Sequence, residues 1–157
     1  YLGKKKEAIE ALEYSMQLAP PSPTTMGAIG FAFACAGEYK LSEPLLQKAL
    51  DLNPYCPWWY YMGFFFGYYS SGKYEQALLY TQKMSASEDV YLIPLLMTAA
   101  KGQLNMIVDA QTEVSRLNEK FPDIIASLKI YLSAFMLDEP LIDEIINGAK
   151  KAGVIIP

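Results

Sequence analysis

The sequence of 157 residues contains no histidine, only two cysteines and a single arginine. The absence of histidine removes the commonest general base and the commonest metal ligand. Cys35 and Cys56 lie 21 residues apart and form no CxxC pair, so a zinc site is not expected. Both thiols are instead predicted to be reduced, small apolar core residues, as is usual in the cytoplasm. No catalytic residue, metal or cofactor is therefore predicted, and an enzyme is the least favoured class.

Charge is also scarce: Asp, Glu, Lys and Arg make up 19% of the chain, and the formal net charge is −4. A general nucleic-acid binder needs a basic stripe, which this balance disfavours. Arg116 is the only arginine, so clusters that bind phosphate through paired guanidinium bonds are excluded. The longest apolar stretches, 26–37 and 58–69, are about 12 residues each, whereas a membrane span needs about 20. Neither direct nucleic-acid binding nor membrane insertion is expected, and a cytoplasmic protein is predicted.

What the chain does contain is a pattern that recurs every 34 or 35 residues. Each copy has a glycine, a small residue five positions later and a bulkier residue nine positions later, and the first two copies end at a proline. The recurring sets are Gly3, Gly37 and Gly72; Ala8, Ser42 and Ala77; Leu12, Leu46 and Thr81; and Pro20 and Pro54. A fixed period in this range is typical of a solenoid, in which one helical hairpin stacks on the next.

This period and these residues resemble the tetratricopeptide repeat (TPR). The resemblance implies an all-α fold, an α-α superhelix (a TPR solenoid) of antiparallel helix pairs with a C-terminal helical cap. The chain is then a single TPR-like domain. Its expected parts are the second helix of a truncated repeat over 1–20, a repeat over 23–54, a repeat over 57–86, a degenerate repeat over 87–122 and capping helices over 123–157. Because Gly3 matches the turn inside a repeat, the chain is expected to be a fragment of a longer protein.

Helices are predicted over 5–18, over 24–36, from 57 or 58 onwards and over 74–85. Ser22 is the expected cap of the second helix, with Pro23 at its first position. Pro44 would break a helix interior, so the helix that ends at Leu52 is expected to begin late, with residues 42–44 in its first turn.

The fourth copy departs from the pattern. Ser87 is the expected cap of its first helix, and Pro94 should kink that helix or delay its start. The spacing of Ala110, Val114 and Leu117 fits the second helix of a repeat, which leaves Gly102 about three residues too early for the turn. After residue 122, two helices are predicted, the second capped by Asp138 and ending at Gly153.

In TPR arrays, the first helix of each repeat lines a concave face that binds ligands. Matched to the family positions on that face, the candidate binding residues are Phe31, Trp59, Met62, Phe66 and Tyr69, with Trp58 in place of Trp59 if the register shifts by one. Such an aromatic groove would suit an apolar or extended peptide. In the alternative interpretation, these residues are covered by the chain's own neighbouring helices or by a missing N-terminal part.

A finer resemblance concerns the string NPYCPWWYYMGFFFGYYSSGKYEQAL and the tail over 121–154. Both are similar to the C-terminal TPR region of bacterial adenylate and guanylate cyclases and of related transcription regulators, which implies a regulatory region in a bacterial, cytoplasmic protein. The leading hypothesis is a non-enzymatic protein–protein interaction module that binds a peptide or a partner helix in the concave groove. The alternatives are a small-molecule sensor that uses the same groove, and self-association as a homodimer through the open N-terminal end.

Overall fold

The computed structural model describes residues 2–18 and 22–157, and in these two ranges the chain forms helices and no strand. The expected all-α class is therefore confirmed. The helices are α1 Leu2–Leu18, α2 Pro23–Cys35, α3 Tyr39–Leu52, α4 Trp59–Ser70, α5 Tyr74–Thr81, α6 Leu92–Gln103, α7 Gln111–Lys120, α8 Pro122–Ala126, α9 Leu128–Ser133 and α10 Glu139–Ala152.

The same left-handed turn separates α2 from α3, α4 from α5 and α6 from α7. Its central residue is Gly37 (φ 78°), Gly72 (φ 70°) and Asn105 (φ 59°) in the three cases. Glycine and asparagine are the residues that tolerate this conformation best. In each turn the next N–H donates to the carbonyl five residues earlier, which closes the end of the preceding helix. These bonds run from Glu38 N to Phe33 O, from Lys73 N to Tyr68 O and from Met106 N to Lys101 O.

The third of these turns explains the irregular fourth copy. Asn105 lies three residues after Gly102, so asparagine occupies the turn position and Gly102 belongs to α6.

Pro94 lies in the first turn of α6, where a proline removes no helical hydrogen bond. The predicted delayed start is therefore confirmed. The predicted cap at Ser87 is wrong, because Val90 N donates to Ser87 O in a turn that precedes the helix.

Two expectations for the early helices are also wrong. Gly3 lies inside α1, which begins at Leu2, so it does not form a turn between helices. The helix containing Pro44 does not start late but begins at Tyr39 and continues through the proline. Lys40 and Pro44 are both exposed, so water can donate to the Lys40 carbonyl that loses its helical partner.

Ser22 caps α2 as predicted, its Oγ accepting from Thr25 N at 3.2 Å. The expected stop at Pro20 lies outside the described residues.

Successive helices pack against one another along the chain. Helix α2 contacts α3 and α4, α4 contacts α5, α5 contacts α6, and α6 contacts α7. One large core cluster extends from Ala34 on α2 to Val154 beyond α10. A smaller cluster joins α2, α3 and α4 through Met26, Leu46, Ala49, Tyr60 and Phe64.

The C-terminal region contains three helices where two were predicted, because the first of the expected pair is divided into α8 and α9. Helix α10 begins with Asp138, whose Oδ1 accepts from Leu141 N, and ends at Gly153 with φ 106°. Both end signals were predicted and are confirmed. Helix α10 packs mainly against α6 and also contacts α4, so it reaches back to a helix about 70 residues earlier.

Candidate functional site

The five predicted binding residues fall into two groups in the structure. Phe31 and Trp59 are partly exposed and lie against each other, with ring centroids 5.2 Å apart. Met62, Phe66 and Tyr69 are buried, at 3%, 0% and 0% exposure. The expectation that these three line an open groove is therefore wrong, and for them the alternative interpretation holds: the chain's own helices cover them. Trp58, the register alternative, is also partly buried against the core.

Helices α6 and α10 are what cover Tyr69. Its hydroxyl donates to Glu144 O at 3.1 Å and lies 3.4 Å from Ala99 O. Burial raises the pKa of Tyr69 well above its usual value, so the phenol stays protonated as a donor. Because the Tyr69 hydroxyl already donates a hydrogen bond inside the fold, it is not available to a binding partner. We therefore assign Tyr69 to the core.

Two tyrosines at equivalent repeat positions hold α10 in place. Tyr39 follows Gly37 by two residues, and its hydroxyl donates to Asp138 Oδ2 at 2.6 Å. Tyr74 follows Gly72 by two residues, and its hydroxyl donates to Glu144 Oε1 at 2.6 Å. Hydrogen bonds to ionised carboxylates are short and strong. Asp138 was expected only to cap the helix, and the role of Asp138 and Glu144 as acceptors for these phenols was not predicted.

The Tyr74–Glu144 contact leads to a prediction about alkaline pH. The hydrogen bond to Glu144, followed by burial, raises the pKa of Tyr74 to about 12. A tyrosine of the unfolded chain has a pKa of about 10. Because the folded pKa is the higher one, the stability from this contact is fully present below pH ~10 and is lost as the pH rises towards 12.

We therefore expect the urea midpoint of the wild type to fall more steeply than that of Tyr74→Phe between about pH 8 and about pH 11. Lysine titration affects both proteins alike and cancels in the comparison. Tyr55 is 93% exposed, so Tyr55→Phe serves as the control and should follow the wild type. Parallel pH profiles for all three proteins would show that the Tyr74 contact does not titrate as argued.

An open apolar groove lies between α1 and α2. It is lined by Ala8, Ala11 and Leu12 of α1, Phe31 and Ala32 of α2, and Leu137, and its cavity volume is about 450 Å³. We call it the α1–α2 groove. Among helices, α1 packs chiefly on α2, and Lys5 Nζ pairs with Glu38 Oε1 at 3.4 Å at one end. Ala8, Ala11 and Leu12 of α1 therefore face this groove and remain at least partly exposed.

The inner wall of the groove includes Cys35, whose thiol is 7% exposed. Burial raises the pKa of Cys35 to about 12, so the thiol stays protonated and behaves as a small apolar side chain. Leu137 N donates to Cys35 O at 2.7 Å and fixes the segment before α10 along the groove's edge. Apolar walls with few polar groups favour an apolar occupant and offer little for ionic recognition.

Within the two described ranges, no three His, Cys, Asp or Glu side chains come together as metal ligands would. In the same residues, no helix combines the length and the apolar character that a membrane crossing requires. The chain matches no protein-family model, no curated protein and no solved structure.

Proposed function

We propose that this chain is a non-enzymatic protein-interaction module that binds a peptide or a partner helix in the α1–α2 groove. The single observation that carries the proposal is an open groove of about 450 Å³ with Phe31 and Leu12 in its walls. Apolar grooves of this kind receive the apolar face of an amphipathic helix, with buried aromatic and aliphatic contacts dominating the affinity. Phe31 is the predicted anchor that remains accessible, and Trp59 extends the aromatic surface beside it.

The finer fold assignment is part of the same proposal. The three equivalent left-handed turns and the sequential contacts of α2 to α7 support stacked TPR-like hairpins in a superhelix. In such an array, the buried positions Met62, Phe66 and Tyr69 follow one face of α4, and α10 packs on α4 at Tyr69. The α1–α2 groove is then the part of the interior surface that the chain does not fill itself. A regulatory role within a larger bacterial, cytoplasmic protein fits this arrangement and rests on the sequence resemblance.

The proposal is tested by selecting ligands from a phage-displayed library of random peptides of about 16 residues, enough for roughly four helical turns. We expect the selected peptides to carry apolar residues at helical spacing and to lose affinity at least tenfold for Ala32→Glu, since that change places a charge in the groove. The matched control is Ala28→Glu, on the same helix and at an exposed position outside the groove lining. Its affinity should be close to that of the wild type.

Two other outcomes would contradict the proposal. Equal affinity for wild type, Ala32→Glu and Ala28→Glu would place the peptide site elsewhere. A wild-type dimer in light scattering that only Ala32→Glu dissociates would show that the groove serves self-association.

Because the groove is apolar, the affinity of the selected peptides should change little between low and high salt.

A further inference from the structure

Ser42 carries a hydroxyl that the fold does not explain. The equivalent position in the next copy, five residues after the turn glycine Gly72, is Ala77, so an alanine would fit the repeat at this position. Ser42 is 2% exposed, and its Oγ has no hydrogen-bond partner among the residues that the structure describes. A buried hydroxyl without a partner is destabilising, because it has lost its hydrogen bonds to water. Thr98 on α6 carries a second buried hydroxyl of this kind, but Ser42 is the one that borders a cavity.

A cavity of about 180 Å³ lies beside Ser42, between the first turns of α3 and the second half of α4. Gly63 and Gly67 line its α4 side. Packing accounts for Gly63, because an added Cβ would lie 2.5 Å from Cδ1 of Leu46, a fully buried side chain that would have to shift. Gly67 is not required, since the nearest atom to an added Cβ would be on Tyr39 at 3.7 Å, an ordinary contact. We call this space the Ser42 cavity.

Gly67 and Ser42 thus share an unusual property. At each position, alanine is expected to make the protein more stable: at Gly67 because of its higher helix propensity, and at Ser42 because it has no unpaired buried hydroxyl. Both residues line the same cavity. Residues that are less favourable for stability than a common alternative tend to occur at positions where function requires them. The two residues therefore point to a ligand that needs the space at Gly67 and the hydroxyl of Ser42.

The rim of the Ser42 cavity carries charges of both signs. Lys40, Glu43 and Lys73 line it, all three are exposed, and none forms an ion pair with another described residue. Lys73 Nζ lies 6.0 Å from the centre of the Tyr68 ring, which forms one wall. The volume is below the range of about 300–1,000 Å³ that drug-sized ligands occupy. A small occupant with one negative and one positive group would suit this volume and these rim charges.

From this geometry we infer that the Ser42 cavity binds a small zwitterion of the α-amino-acid class. Its carboxylate is held by Lys40 and Lys73, its ammonium group by Glu43, and a polar atom pairs with the Ser42 hydroxyl. The carbon atoms of the ligand pack against Tyr68 and the open space at Gly67. This binding site goes beyond the proposed peptide groove and does not depend on it, because its lining shares no residue with the α1–α2 groove.

The test uses NMR amide shifts and thermal unfolding with each proteinogenic L-amino acid at about 10 mM, above the millimolar Kd of a weak small-molecule site. We expect at least one amino acid to shift the amides of residues 42, 67 and 71 and to raise the Tm. Ser42→Ala should raise the Tm of the ligand-free protein by about 2–4 °C. The same change should weaken binding roughly tenfold.

Ser115→Ala is the matched control, since Ser115 is an exposed serine inside α7. It gains the same helix propensity as Ser42→Ala but should leave binding unchanged. Glu43→Gln should weaken binding of the amino acid while leaving a carboxylate that lacks the amine, such as acetate or propionate, unaffected.

Three results would overturn the inference: no amino acid shifts these amides, a carboxylate or an amine alone binds as well as the zwitterion, or Ser42→Ala lowers the Tm. The last result would show that the hydroxyl is satisfied within the fold.

Discussion

Replacing Gly148 with alanine is expected to destabilise the protein by about 3 kcal/mol, the upper part of the range for overpacking a rigid contact. An added Cβ at Gly148 would overlap the Tyr69 hydroxyl and lie 2.5 Å from Ala99 O. An added Cβ at the facing residue, Gly102 on α6, would lie closer still to backbone, since it would overlap the carbonyl oxygen of Gly148. The two glycines therefore form the crossing point of α6 and α10, where backbone meets backbone. Backbone atoms cannot rotate away as a flexible side chain can, so α10 must shift.

The matched control is Gly67→Ala, also a glycine-to-alanine change inside a helix. At Gly67 the added methyl group has ordinary room, so we expect the ligand-free protein to gain about 1 kcal/mol from helix propensity. Urea unfolding followed by circular dichroism measures both variants on the same scale. If Gly148→Ala were as stable as Gly67→Ala, the close crossing of α6 and α10 would be wrong.

Replacing Phe66 with alanine is expected to cost about 3–5 kcal/mol of unfolding free energy, the usual loss for a fully buried aromatic side chain. Phe66 is 0% exposed, and its ring lies 6.4 Å from Phe31 and 6.2 Å from Phe65, centroid to centroid. The substitution leaves a cavity that the surrounding helices fill only in part. Tyr55→Ala is the control: Tyr55 is 93% exposed, and its loss should change the stability by no more than about 0.5 kcal/mol.

This experiment also separates the two interpretations of the aromatic residues on α4. If Phe66 were an accessible anchor, its removal would weaken peptide binding and leave the stability nearly unchanged. The structure leads us to expect the opposite: a large loss of stability, with the affinity of the remaining folded protein for groove-selected peptides within a few-fold of the wild type.

Local structure was largely predictable from the sequence. The turns at Gly37 and Gly72 follow from the conformational freedom of glycine, and the ends of α2 and α10 follow from Ser22, Asp138 and Gly153. The spacing also showed that Gly102 stood too early for a turn, although it did not identify Asn105 as the residue that replaces it. Asparagine reaches the left-handed region less readily than glycine, so its presence alone is a weak signal.

The site was less predictable, because accessibility depends on contacts between distant parts of the chain. Tyr69 occupies a position that would line a groove in an open array, yet it is buried by residues 75 positions later. Helix propensity would favour alanine over glycine at both Gly67 and Gly148, and only the crossing of α6 and α10 makes the second change harmful.

By itself, the sequence determined most of the helices and two of the three repeated turns, because these depend on backbone conformation and on residues within a few positions of one another. Only the tertiary structure decided which apolar face remains open, since that depends on where α10 packs. Its position results from contacts such as those of Tyr39 with Asp138 and of Tyr74 with Glu144. These contacts join residues far apart in the sequence, so they produce no repeating sequence pattern. The α1–α2 groove and the Ser42 cavity are what the folded chain leaves unfilled once α10 is in place.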